Sequence, residues 1–168
     1  MAATRDFSLG KVDVALTPVA RFAEFLQTRG KRITQQRRVI VEHVSARHEH
    51  FDAEQLLADL RTTREGARAS RPTVYRTLAE MVDAGLLNKM VLDGRAVYEH
   101  DYGYPRHDHL YCTGCRNLIE FSSDDVARIC DAVAASHRFR ARSHRLIVSG
   151  LCVECLSSKS RSRHQDRV

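Results

Sequence analysis

The sequence runs to 168 residues, 43% of them hydrophobic, with a formal net charge of +6. That length suits one ordinary domain or two small ones with modest cores, and no stretch approaches the ~18 consecutive apolar residues of a membrane-spanning helix. The opening Met-Ala-Ala-Thr-Arg-Asp carries Asp6 and lacks the apolar run of a secretory leader, so the expected location is the cytoplasm, with no membrane partner.

Residues 1–17 show little periodicity and read as a flexible or loosely docked extension. Helical signals begin at Pro18: Phe22, Phe25 and Leu26 form an apolar stripe that stops near Gly30. Thr34 is then placed to cap a second helix with Ile40, Val41 and Val44 on one face. Asp52 followed by Gln55 is a capping-box pattern, and it opens a third helix with Leu56, Leu57 and Leu60 inside. The polar stretch Thr62 to Ser70 reads as a loop. Ser70 or Arg71 ahead of Pro72 announces a fourth helix, in which Val74, Leu78, Met81 and Val82 recur at helical spacing until Gly85. Leu86 to Leu92 and Ala96 to Glu99 flank Asp93-Gly94, a strong hairpin signal. Helices followed by a two-stranded hairpin are the order of a winged helix-turn-helix, here over residues 18–101.

After a short linker around Tyr102 to Arg106 the character changes. His107 to Tyr111, Asn117 to Phe121 and Arg145 to Ser149 read as strands, with a helix from Asp124 to about Ser136 between the last two. The expected fold class is therefore α+β: an N-terminal winged helix-turn-helix followed by a small α/β domain over residues 102–156. The tail, 157–168, is rich in Ser and Arg and reads as disordered.

The positive balance suggests a polyanionic partner, because clustered cations gain free energy by releasing the counterions condensed on phosphates. Arg29, Lys31, Arg32, Arg37 and Arg38 crowd one early segment; Arg61, Arg64, Arg68, Arg71 and Arg76 crowd the next. The fourth helix presents Thr73, Tyr75, Arg76 and Thr77 away from its apolar stripe, immediately before the hairpin. Arginine can read guanine edges or clamp phosphate, and tyrosine can touch a thymine methyl.

Of five cysteines, four form two Cys-x-x-Cys pairs, Cys112 with Cys115 and Cys152 with Cys155. In a reducing compartment such pairs bind metal more often than they form stable disulfides. Four thiolates suit tetrahedral Zn2+ and leave no position for water, so the expected zinc is structural. Just upstream stand His107 and His109. In a strand both imidazoles face the same side, where they can share an ion. With His50, Glu99 and Glu120 nearby in the pattern, the donor types suit Fe2+, Zn2+ or Mn2+. Cys130 shares helical spacing with Val126, Ile129 and Val133 and is expected to be a buried, unreactive thiol. His43 reads as an ordinary helix residue.

Taken together these residues resemble the ferric uptake regulator family over roughly residues 18–156. The likeness is carried by Gly30-Lys31-Arg32-Ile33-Thr34 with Arg37, by Pro72-Thr73-Val74-Tyr75-Arg76-Thr77-Leu78, by His107-Asp108-His109-Leu110 and by the two cysteine pairs. The resemblance implies a homodimeric repressor of metal-homeostasis genes that binds double-stranded operator DNA when a divalent metal occupies a hinge site. Carried over residue by residue, the hinge ligands are His50, Glu99, His107, His109 and Glu120, and the DNA contacts include Arg32, Arg37, Thr73, Tyr75 and Arg76. Glutamates at 99 and 120 resemble the iron-sensing branch, which makes Fe2+ the implied regulatory ion. A further family site is half present: Asp108 and His144 match, but Arg106 and Ala127 stand where His and Glu are expected.

Zinc-, manganese- or peroxide-responsive regulators of the same build remain open, since affinity order alone favours zinc over iron. From other classes come a zinc hydrolase or deaminase and a metal-storage module. The deaminase pattern His-x-Glu with Pro-Cys-x-x-Cys is absent, and the four sulfurs close one site, so no enzyme activity and no small-molecule substrate beyond metal ions are expected.

Overall fold

The computed structural model describes residues 12–47 and 49–157. It divides into two compact units, one ending at Tyr104 and the other beginning at Pro105. The division falls after Tyr104 rather than after residue 101, and the hydrogen bonding of Tyr102 explains why. Its hydroxyl accepts from the Leu16 amide at 3.3 Å and donates to the Leu16 carbonyl at 3.1 Å, while the amides of Asp101 and Tyr102 both donate to the Leu86 carbonyl. The same bonds dock Leu16, so the end of the expected extension is held in place. Residues 1–11 and 158–168 lie outside the described residues.

In the first unit each helix starts where a side chain can satisfy its leading amides. Helix α1 (Pro18–Thr28) is capped by the Thr17 hydroxyl, which accepts from the Ala20 amide at 3.2 Å. Helix α2 (Gln35–Ser45) is capped in the same way by Thr34, and α3 (Ala53–Leu60) opens on a complete capping box, with Asp52 accepting from the Glu54 and Gln55 amides and Gln55 accepting from the Asp52 amide. The stretch expected as a plain loop contains a 3-10 turn, Gly66–Arg68. A Cβ on Gly66 would stand 2.4 Å from the Leu60 carbonyl oxygen, so glycine is required there. Helix α4 (Arg71–Asp83) begins behind the Ser70 cap.

Strands β1 (Leu87–Leu92) and β2 (Arg95–His100) pair antiparallel from Leu87 opposite His100 to Leu92 opposite Arg95. Asp93 (φ 48°) and Gly94 (φ 76°) make the two-residue turn with consecutive left-handed conformations that matches strand twist. An additional bridge joins Phe51 to Tyr98. The unit is held by a dense apolar core: Phe22, Leu26, Ile40, Val44, Leu56 and Leu78 are all fully buried. Each such side chain contributes roughly 1.5–3 kcal/mol by leaving water.

In the second unit a three-stranded sheet has the order β4-β3-β5, with β3 (Asp108–Cys112) central, β4 (Leu118–Phe121) antiparallel to it and β5 (Ile147–Gly150) parallel. Helix α5 (Asp124–Ser136) connects β4 to β5. Ser123 caps it, and Asp124 and Asp125 in its first turn complement the helix dipole. The apolar core here is thin, because only Tyr111 and Cys112 are buried among the described hydrophobic residues of this unit. No side chain of α5 is buried. The expectation of a buried Cys130 is corrected accordingly: that thiol is half-buried, and Ile129 and Val133 beside it are 64% and 56% exposed. Their stripe faces nothing within this chain's described residues that covers it. Among the described residues no helix is long and apolar enough to cross a membrane.

Candidate metal centres and nucleic-acid face

The sulfur cluster is built by β3 and the segment after β5. Cys112 ends β3, and the Arg116 amide donates to the Cys112 carbonyl at 2.7 Å, closing a turn that brings Cys115 back beside it. The Thr113 amide donates to the Gly150 carbonyl at 2.8 Å, which brings Cys152 and Cys155 alongside. All four sulfurs lie within 4.8 Å of one another, and Cys115 Sγ is 3.8 Å from Cys152 Sγ. A tetrahedron with zinc–sulfur bonds of about 2.3 Å has edges of about 3.8 Å, whereas a disulfide needs about 2.05 Å. The donor set and its spacing therefore fit zinc.

The electrostatics of the cluster are uneven. The amides of Cys115 and Cys152 pull the Cys112 thiol down to about 6, the Cys152 amide lying 3.2 Å from Cys112 Sγ. At Cys152 the Cys155 amide also lowers the pKa, but the Glu154 carboxylate, burial and neighbouring thiols outweigh it and push the group up to about 12. Gly114 was not singled out by the sequence pattern, yet a Cβ there would stand 2.8 Å from Cys155 Sγ. The knuckle closes over the opposite cysteine only because that position is bare.

On the same unit, register places Glu120 directly opposite His109, so both side chains emerge on one face of the sheet. His107, two residues before His109, joins them there. Its ring centroid is 4.8 Å from that of His109, and its Nε2 is 3.9 Å from Glu120 Oε1. One ligand atom from each of the three lies within 4.8 Å of the others, a nitrogen and oxygen donor set suited to a divalent ion. His107 Nδ1 is 2.9 Å from the Pro105 carbonyl, a contact that leaves Nε2 as the nitrogen facing the carboxylate.

Within the winged-helix unit, His50 Nε2 is 3.2 Å from Glu99 Oε2. The Phe51–Tyr98 bridge explains the pairing, since it lays residue 50 beside the end of β2. The half-matched extra site consists of one pair: His144 Nε2 lies 3.6 Å from Asp108 Oδ2, while Asp108 Oδ1 accepts from the Leu146 amide at 2.8 Å. Arg106 turns away to the Arg142 carbonyl, and Ala127 on α5 offers no ligand atom.

The basic segments converge on an open cavity of about 400 Å3 lined by Lys31, Arg32, Thr34, Gln36, Arg37, Thr73 and Arg76. Two of its cations are already engaged: Lys31 Nζ is 2.8 Å and Arg37 Nη2 3.0 Å from the buried Glu80 carboxylate. The expectation for Arg37 is modified, because its side chain is only 12% exposed and its charge is spent on Glu80. Arg32 and Arg76 are exposed, and among the described residues neither has an acidic partner. The expectation that Thr77 is presented with Tyr75 and Arg76 is overturned: Thr77 is fully buried, one position round the helix from Arg76 and on the core side.

Tyr75 is 42% exposed, and its hydroxyl donates to Glu54 Oε1 at 2.8 Å. Arg71 grips the same carboxylate with both terminal nitrogens, at 2.5 and 2.8 Å. These bonds, that from Tyr75 first, hold the Glu54 carboxyl below its ordinary range, and the bond to Glu54 raises the Tyr75 phenol. Neither Glu54 nor Glu80 carried a signal in the sequence beyond its place on a helix.

The chain is similar to known proteins over most of its length. Residues 28–149 match the model of the ferric uptake regulator family. A ferric uptake regulation protein of Rhizobium leguminosarum bv. viciae is 37% identical over 138 residues, 81% of this chain and 95% of that protein. The crystal structure of the Vibrio cholerae ferric uptake regulator is 31% identical with a TM-score of 0.63, over 77% of this chain and 98% of that one. A zinc-bound manganese uptake regulator is 33% identical with a TM-score of 0.57, over 79% and 99% of the two chains.

Proposed function

The chain belongs to the ferric uptake regulator family of metal-responsive transcription regulators, and from that premise we propose that it is a cytoplasmic repressor which binds operator DNA as a homodimer when Fe2+ occupies a regulatory site. The observation that carries this reading is the presence of two chemically different donor sets: four sulfurs at zinc spacing, and, separately, His107, His109 and Glu120 on one sheet face. A closed sulfur site suits a resident structural zinc. Nitrogen and oxygen donors suit an ion that exchanges.

The proposed regulatory ligands are His50 and Glu99 from the winged-helix unit and His107, His109 and Glu120 from the second. Ligands drawn from both units would make ion binding and the orientation of the DNA-binding unit one equilibrium. A two-fold dimer must present both copies of α4 at the spacing of successive major grooves. Linkage then requires that operator DNA raise metal affinity by the same factor as metal raises DNA affinity. On the DNA side, Tyr75 and Arg76 are the proposed base-reading residues. Arg32 and Thr73, in the cationic cavity, are the proposed phosphate contacts, with Arg37 held behind them by Glu80. A divalent ion when bound supplies charge and fixed geometry only; no bond of a substrate is made or broken.

The homodimer is supported by apolar side chains that this chain leaves in water. Leu110, Ile119 and Val148 are 42%, 49% and 46% exposed on one face of the sheet, and their register puts them side by side. A second copy of the same unit would cover them. A second reading of the ion, Mn2+, is favoured by the 33% identity to the manganese uptake regulator. The Asp108–His144 pair is proposed as no more than a structural contact.

His107→Ala tests the reading. The variant is expected to keep its tightly held zinc and its dimer, and to lose metal-dependent binding to duplex DNA in anaerobic titrations with Fe2+, Mn2+ and Zn2+ in turn. For the wild-type protein, the ion whose midpoint for DNA binding falls at its free concentration in the cytoplasm is the sensed metal, since raw affinity alone would favour zinc. If the variant responds to metal with an unaltered midpoint, the His107 site is not the sensor.

A further inference from the structure

At the start of α4, one carboxylate from α3 satisfies two of the polar side chains on the exposed face of the helix. Glu54 accepts both guanidinium nitrogens of Arg71 at 2.5 and 2.8 Å, and the Tyr75 hydroxyl at 2.8 Å. All three side chains are exposed. A bidentate guanidinium and a hydroxyl converging on two oxygens is also the arrangement in which a DNA phosphate would be gripped. Glu54 therefore occupies the place of an anion, and it does so with a charge that repels the phosphate backbone.

This contact does little for the fold. An exposed ion pair, even a bidentate one, adds little beside a packed core, and α3 and α4 are already joined through that core by Leu56, Leu60, Val74 and Leu78. Its consequences lie at the surface. Arg71, the first residue of α4, would otherwise be a cation beside a helix N-terminus, where any phosphate of any sequence would be attracted. Tyr75, one turn later, would otherwise rotate freely; tethered by its hydroxyl, it offers the ring in one orientation, so the rotamer entropy of reading a base edge is lost on folding rather than on binding.

Resting on the DNA-binding function proposed above, we propose that Glu54 is a positioning residue for sequence discrimination: it withholds Arg71 from indiscriminate phosphate contact and fixes Tyr75 for base reading. The two halves of this role come apart in two variants. Glu54→Gln keeps an amide oxygen for the Tyr75 hydroxyl but removes the charge that holds Arg71. Glu54→Ala removes both.

The test uses the full-length protein with Mn2+ as an air-stable divalent probe. One duplex is selected by the wild-type protein from a random-sequence pool, and the other is a shuffled duplex of equal composition. Glu54→Gln is expected to bind the shuffled duplex more tightly, with a salt dependence steeper by about 1.8 in log K against log[salt]. That is one additional phosphate contact per protomer of a dimer. In an Arg71→Ala background the same substitution should leave the slope unchanged. Glu54→Ala is expected to show the same steepening, and also to lose roughly tenfold in affinity for the selected duplex, the scale of one misplaced contact per site. Thermal midpoint, zinc content and dimerisation should stay at wild-type values in both. If Glu54→Ala does not fold, Glu54→Gln and its salt slope decide alone. Equal changes on the two duplexes in Glu54→Ala, or an unaltered slope in Glu54→Gln, would overturn the role of Glu54 while leaving the regulator reading intact. A wild-type protein that prefers no duplex would sink that reading, and this inference with it.

Discussion

The winged-helix unit and the unit that follows it are held by different forces. Phe22, Leu26, Ile40, Val44, Leu56 and Leu78 leave water completely in the first, and every one of its α-helices is capped by a side chain. In the second, Tyr111 and Cys112 are the only buried hydrophobic residues described, no side chain of α5 is more than partly buried, and Leu110, Ile119, Ile129, Val133 and Val148 remain exposed. A unit of that size cannot offset its conformational entropy by so little burial. What it has instead is a sulfur cage and an uncovered apolar face. The contrast teaches that the first unit carries its own stability in its apolar core, whereas the second has little beyond its four clustered sulfurs and an exposed apolar face to draw on.

The sharpest way to break that contrast is Cys112→Ser. Because structural zinc coordination contributes folding free energy directly, the variant is expected to lose its zinc and the protection of β3, β4 and β5 amides from hydrogen exchange. The amides of α1 to α4 should stay protected. Persistent protection of β3 in the zinc-free variant would show that the second unit stands without its metal. Next in size, Phe22→Ala should cost the first unit about 3–5 kcal/mol, the range for emptying a fully buried aromatic site. Denaturant unfolding should show the loss while zinc content stays at the wild-type level; release of zinc along with the core would mean that the two units are one cooperative structure.

The smallest effect expected is from Asp52→Ala, which removes the carboxylate accepting the Glu54 and Gln55 amides. Losing such a cap costs about 1 kcal/mol, and for a domain of this size that is a fall of roughly 4–8 °C in thermal midpoint. Because Glu54 stands two residues after Asp52, the same variant sharpens the contrast in a second way. A frayed α3 should loosen the Tyr75 tether while leaving the four clustered sulfurs undisturbed. Calorimetry and zinc titration on one sample separate the two effects.

Much of this architecture was legible in the chain itself, because it depends on interactions between residues a few positions apart. The Thr34, Asp52 and Ser70 caps, the Asp93-Gly94 turn and the 2-residue alternation that puts His107 and His109 on one side are local geometry. So is the Cys-x-x-Cys spacing, which sets each half of the sulfur cage. The pairing of His109 with Glu120 was reachable only through resemblance, since strand register joins residues that sequence spacing does not relate. Other features were decided by tertiary structure alone. Helical periodicity left Thr77 on the outer face, but the core reaches round α4 far enough to bury it. Arg37 looked like a free cation until Glu80, from another helix, met it in a half-buried pair. Cys130 had the spacing of a core residue, yet a stripe is buried only if something packs against it, and for α5 that partner is not in this chain's described residues. Gly114 and Glu54 gave no sign because their roles are set by what stands opposite: Cys155 for the glycine, and Arg71 and Tyr75 for the carboxylate. Short-range order follows from backbone sterics and hydrogen bonds that each segment carries with it, whereas burial and charge pairing belong to whichever distant residues the folded chain sets side by side.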